Sequence, residues 1–182
     1  MKKTAMLFAN GFEEVEALTV VDLLRRAAIT CDIVSVDGTA TVTGSHGVSV
    51  GADKAFSETP FDEYDALLLP GGQPGTNNLA ADGRVLRLLQ DFNAAGKLTA
   101  AICAAPTVLA KAGLLNGRRA ACYPGLEDGL TGAIAVAEPV VTDGTVVTSR
   151  GVGTALDFAL ALVTYLDSAE SADKLARAVV YR

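Results

Sequence analysis

Short apolar, β-prone stretches alternate with helix-period stretches along most of this chain, and no other feature restricts its fold as strongly. The order is Thr4 to Ala9, Glu13 to Ala28, Cys31 to Val36, Ala66 to Leu69, Val85 to Ala95, Thr99 to Ile102 and Thr107 to Ala112. A parallel strand pair needs a crossover, and the crossover helix packs back on the sheet, so this order predicts a mostly parallel sheet covered on both faces. Two segments break the pattern. Between Val42 and Val50, Gly44-Ser45-His46-Gly47 separates two β-prone runs and predicts an inserted hairpin. Val140 to Thr142, Asp143-Gly144 and Val146 to Ser149 predict a second hairpin, with Asp-Gly supplying the positive φ angles of a tight turn. A helix from about Thr154 to Leu166 and a short one from Ala172 close the chain. No linker, repeat or low-complexity segment interrupts residues 1–182, which read as one α/β domain.

Composition narrows the functional classes. A chain of 182 residues buries roughly 70% of its unfolded surface and folds without cross-links. Its three cysteines, Cys31, Cys103 and Cys122, form no CxxC pair, which fits free thiols in a reducing, cytoplasmic compartment. No apolar run approaches the roughly 20 residues of a membrane span, and Met1 to Asn10 leads into Gly11 and an acidic helix start without a small-residue cleavage site. An unexported protein away from membranes is expected. The net charge is −6, with Arg25-Arg26 and Arg118-Arg119 as the basic doublets, so nucleic acid is not an expected partner.

The stretch Ala101-Ile102-Cys103-Ala104-Ala105-Pro106 carries the chemistry. A buried strand runs to Ile102 and a helix starts near Thr107, leaving room only for a sharp turn. The residues two before and two after the centre of such a turn nearly touch, as the glycines of a GxSxG elbow do, and Ala101 and Ala105 are small enough. Pro106 suits a first helical turn, where its missing N–H has no intrahelical partner. Cys103 is thereby presented near free N–H groups at a helix start, an environment that stabilises a thiolate and is expected to make it the most acidic thiol; a depression of two or three units would leave it nearly all ionised. Cys31 and Cys122 lack the elbow and read as structural.

Partners for Cys103 are few. The one histidine, His46, lies in the inserted hairpin, and the residue after Cys103 is Ala104. Glu13-Glu14-Val15-Glu16 follows the first strand, where open α/β sheets bind ligands. Acids there also suit a helix start, and the spacing of Glu16 with Val20 and Leu23 permits an inward carboxyl without requiring one. Leu69-Pro70-Gly71-Gly72 ends another strand in a glycine turn whose backbone is able to approach a bound group. Gly151-Val152-Gly153 follows the Val146 to Ser149 strand but lacks the rest of a dinucleotide fingerprint. There is no P-loop, zinc-spaced Cys/His set or HExxH, so no metal or cofactor is expected.

Taken together, Gly11-Phe12-Glu13-Glu14-Val15-Glu16, Leu69-Pro70-Gly71-Gly72, Ala100 to Thr107 and Ser149-Arg150-Gly151-Val152-Gly153-Thr154 resemble the DJ-1/PfpI superfamily, in its DJ-1/ThiJ branch, from about Lys3 to Leu166. The resemblance implies a flavodoxin-like three-layer sandwich that forms a homodimer partly through the first helix near Val15. It also implies Cys103 as nucleophile, Glu16 as a carboxyl hydrogen-bonded to its sulfur, and the Gly72 and Ala104 N–H groups as an oxyanion site. Tyr123, before Pro124, stands where the family's archetype carries an active-site histidine, so a phenol replaces imidazole there. His46 aligns with a hairpin residue that reaches toward the partner's site in this family. The activity implied is cofactor-independent turnover of small α-oxoaldehydes such as methylglyoxal, with a deglycase activity as a variant. Redox sensing or stress protection through oxidation of Cys103 is the alternative. Protease or amidotransferase chemistry is disfavoured by Ala104 and the single histidine.

Overall fold

The computed structural model describes residues 2–181. In chain order the elements are β1 (Lys3–Phe8), α1 (Glu14–Arg26), β2 (Thr30–Ser35), β3 (Thr41–Thr43), β4 (Ser49–Gly51), β5 (Lys54–Ala55), β6 (Ala66–Leu69), α2 (Gly75–Ala81), α3 (Gly83–Ala94) and β7 (Leu98–Ile102). Then follow α4 (Pro106–Lys111), β8 (Arg119–Ala120), β9 (Ile134–Ala135), β10 (Val140–Asp143), β11 (Val146–Ser149), α5 (Ala155–Leu166) and α6 (Ala169–Ala178). Seven strands form the central sheet in the order β10-β11-β7-β6-β1-β2-β5. Every pairing in it is parallel except β10 with β11, the hairpin announced by Asp143-Gly144.

The pleat explains the three layers. In β1, Met6 and Phe8 face one way and pack with Ala17, Val20 and Leu24 of α1 and with Phe158 and Leu162 of α5. Ala5 and Leu7 face the other way and pack with Leu79 of α2, Val85 and Leu89 of α3, and Val108 and Leu109 of α4. Leu67, Leu68 and Leu69 of β6 are fully buried between these cores, and each such side chain contributes about 1.5–3 kcal/mol relative to exposure. The flavodoxin-like α/β architecture is therefore present, with helices on both faces of a mostly parallel sheet. Among the described residues no helix is long and apolar enough to cross a membrane.

Helix ends follow local chemistry. Glu13 caps α1 through the Val15 N–H, with Glu14 and Glu16 in its first turn and Arg25 and Arg26 in its last, the charge order favoured by the helix dipole. The last helix starts at Ala169, earlier than the expected Ala172, because Ser168 accepts a hydrogen bond from the Ser171 N–H at 3.2 Å. Likewise Val152–Thr154 forms a 3-10 turn, so α5 begins at Ala155. The inserted hairpin is the separate antiparallel pair β3–β4, and it docks on the start of α1 through Gly11 N–H to Thr43 O and Ser45 N–H to Phe12 O, both 2.8 Å.

Candidate active site

The carboxyl ends of β1, β6, β7 and β11 converge on one cleft of about 490 Å³, lined by Glu13, Glu16, Gly72, Cys103, Tyr123 and Arg150 among others. Cys103 sits at the end of β7 with φ 64°, a left-handed conformation that costs a residue with a Cβ about 1–2 kcal/mol. The surroundings hold it there. Its N–H donates to Ser149 O at 3.0 Å, and its carbonyl accepts from the Tyr123 N–H at 2.8 Å. Ala101 and Ala105 are fully buried at the base of the turn, as an elbow requires, and Pro106 opens α4. Cys31 and Cys122 are buried, whereas Cys103 is partly open to the cleft.

Glu16 projects from the first turn of α1 with 1% of its surface exposed, and its carboxyl lies within hydrogen-bonding reach of the Cys103 thiol. Oε2 accepts the Gly71 N–H at 3.0 Å, while Oε1 is buried without a hydrogen-bond partner. Gly71 has to be glycine for this contact: a Cβ there lies 2.5 Å from Cys103 Cβ and 2.6 Å from Glu16 Oε2. The N–H groups of Ala104 and Gly72 point at the sulfur.

The electrostatics correct one expectation. Burial pushes the Cys103 thiol up to about 12, reinforced by the neighbouring Glu16 and only partly opposed by the Ala104 and Gly72 N–H groups. Burial likewise pushes Glu16 up to about 7. The expected lowering of the Cys103 thiol is therefore absent, and burial pushes Cys31 and Cys122 up as well. The helix-start N–H groups do not lower the thiol because desolvation and the adjacent Glu16 carboxyl outweigh them. Near neutral pH this pair holds a protonated thiol beside a carboxyl that burial has raised far above its ordinary value.

Tyr123 lines the cleft and is half exposed. His46 is outside the cleft: its Nδ1 meets Glu14 Oε2 at 2.9 Å and Glu13 Oε2 at 3.3 Å, with its side chain 72% exposed. Glu14 also accepts the His46 N–H at 2.7 Å. A Cβ on Gly44 clashes with the Glu14 carboxyl at 2.3 Å, so the hairpin seats against that carboxyl only with glycine there. Glu13, Glu14 and His46 have ligand atoms within 4.8 Å of one another, but the hairpin supplies their hydrogen bonds. Val15, half exposed on α1, is also outside the cleft. Arg150, Val152 and Thr154 carry no sequence signal of their own beyond the motif containing them. The Thr154 hydroxyl organises that loop, meeting Ser149 Oγ at 2.7 Å and accepting the Gly151 N–H at 3.1 Å.

The family model described as DJ-1/PfpI family matches residues 2–165. The chain belongs to the DJ-1/PfpI family. Protein dj-1beta of Drosophila melanogaster is 36% identical over 183 residues, covering 99% of this chain and 98% of the relative. Its crystal structure matches with a TM-score of 0.96 over 100% of this chain and 98% of that one. Toxoplasma gondii DJ-1, solved oxidised, is 37% identical with a TM-score of 0.95, covering 100% of this chain and 99% of that one. A protein named a deglycase from Pyrococcus horikoshii is 35% identical over 150 residues, covering 81% of this chain and 89% of the relative.

Proposed function

We propose that this member of the family is a cysteine-dependent enzyme acting on reactive α-oxoaldehydes, converting methylglyoxal and water to lactate without glutathione. The observation that carries this reading is the Cys103–Glu16 pair inside a cleft, with the Ala104 and Gly72 N–H groups aimed at the same sulfur. A raised thiol beside a carboxyl that ionises near 7 acts as nucleophile and base together.

The Cys103 sulfur adds to the aldehyde carbon while Glu16 takes the thiol proton. The oxyanion meets the Gly72 and Ala104 N–H groups, contacts whose individual loss costs about 3–4 kcal/mol in comparable sites. Glu16 returns the proton to this oxygen and gives a hemithioacetal. The carboxylate next removes the proton on C1, the electron pair forms an enediol, and a proton returned at C2 leaves a thioester. Water cleaves it, releasing lactate and the thiol. No step calls for a group beyond this chain and water. A deglycase activity, the one the Pyrococcus relative is named for, would draw on the same thiol.

Turnover of methylglyoxal in heavy water, with lactate read by NMR, tests the assignment. Deuterium at C2 supports Glu16 as the base, whereas undeuterated C2 supports a direct hydride shift. Cys103→Ala abolishes turnover, and an active Cys103→Ala protein overturns the reading.

One observation favours a second use of the site. Glu16, half protonated near 7, stands ready to donate a hydrogen bond to an oxidised sulfur. Two equivalents of peroxide convert the thiol to a sulfinic acid and two waters. Mass spectrometry after mild peroxide should then find two added oxygens on Cys103 before any on buried Cys31 or Cys122. Turnover by fully reduced protein separates the catalytic role from the redox one.

A further inference from the structure

We propose that Tyr123 and Val152 form a recognition wall that makes this cleft selective for α-oxoaldehydes bearing an aromatic or branched apolar substituent. The inference rests on the oxoaldehyde reading above and deepens it. Its first support is size. The cleft holds about 490 Å³, within the roughly 300–1,000 Å³ typical of sites for much larger ligands. Methylglyoxal at the sulfur, carrying only a methyl group beyond its two carbonyls, leaves most of that space to water.

The second support is what lines the empty part. Tyr123 and Val152 are 52% and 48% exposed, and both line the cleft beside Pro124, next to the reactive sulfur. The Tyr123 hydroxyl makes no hydrogen bond to any described residue, so no internal polar contact explains the ring's position. Apolar surface of this kind, set inside a cleft at the reactive sulfur, gains when an apolar ligand group covers it.

The third support is direction. A methyl group placed on Gly151 lies 3.5 Å from the Tyr123 ring and 3.8 Å from Glu16 Oε1. Glycine thus keeps a slot open between the ring and the carboxyl oxygen that has no partner. With C1 bonded to sulfur, its oxygen at the Gly72 and Ala104 N–H groups and its hydrogen toward Glu16, the group on C2 leaves through this slot. It then lies along the Tyr123 ring.

Two measurements test the wall. The first is the ratio of kcat/KM for phenylglyoxal to that for methylglyoxal, taken within each variant so that a general loss of activity cancels. The ratio is expected to fall about tenfold in Tyr123→Ser, the loss of one covered aromatic face, to fall less in Val152→Ala, and to be retained in Tyr123→Phe. The second needs no turnover: the rate of Cys103 alkylation by N-phenyl iodoacetamide relative to iodoacetamide, read by mass spectrometry, with iodoacetate as the anionic comparison. It should fall in parallel. If no oxoaldehyde turns over, the proposed function is lost while alkylation still scores the wall. Ratios unchanged by Tyr123→Ser, or a wild-type preference for iodoacetate traced to Arg150, overturn the proposal.

Discussion

Gly71 donates its N–H to Oε2 of Glu16 at 3.0 Å, and this bond holds the carboxyl against the turn that carries Cys103. Oε1 remains buried and unpartnered on the side of Gly151. As a general base it acts only when ionised, so kcat/KM for methylglyoxal should rise with pH through about 7, where burial has placed Glu16. The rise should vanish in Glu16→Gln, with turnover reduced at least about 100-fold. A profile of kcat/KM from acid to mildly alkaline pH checks both statements.

Glu16 should also tax the fold it serves. Its folded pKa, about 7, lies above the ordinary 4.5, so the native state binds the extra proton between those values. Its contribution to stability is complete below the unfolded value and is lost as pH rises through the folded one. Glu16→Gln should therefore raise the thermal midpoint more at pH values above 7 than at acid pH. Calorimetry across that range reads the difference.

Backbone strain at Cys103 is separable from its chemistry. Cys103→Ala keeps a Cβ at φ 64°, whereas Cys103→Gly relieves it. Urea unfolding should find the glycine variant more stable than the alanine variant by about 1 kcal/mol.

Acid should loosen the hairpin. Burial alone would raise Glu14, but hydrogen bonds from the His46 ring, from its own N–H and from the His46 and Val48 N–H groups hold it at about 2. The folded value lies below the ordinary 4.5, so this contribution is present above 4.5 and is lost as pH falls toward 2. Glu14→Gln should lower the thermal midpoint by about 5 °C at neutral pH, with the gap closing in acid. Paired melting curves at several pH values show it.

The family resemblance implies a symmetric homodimer through α1, and Val15 has half its surface free to meet a copy. Val15→Glu should shift the sedimentation coefficient toward the monomer at micromolar concentration. Wild-type protein that already sediments as a monomer removes the dimer.

Much of this was legible in the sequence because its signals are local. The β6 run Ala66–Leu69 is apolar on both faces, the Asp143-Gly144 turn is specific, and small residues flank Cys103. Segments defined by their neighbours were not legible. Helix α2 is short and has no strong apolar stripe, while β5, β8 and β9 are two-residue strands made by pairing alone. The thiol's true environment was equally hidden, since its pKa depends on a carboxyl brought in from 87 positions away. Spacing permitted Glu16 to turn inward; only the tertiary fold set it against the sulfur.

The bond from the Tyr123 N–H to the Cys103 carbonyl joins the wall of the cleft to the elbow through main-chain atoms alone. Any residue except proline offers the same N–H, so the side chain at 123 is free to vary while the nucleophile stays in place. A substitution at 123 therefore reshapes the wall of the cleft without dismantling the reactive turn.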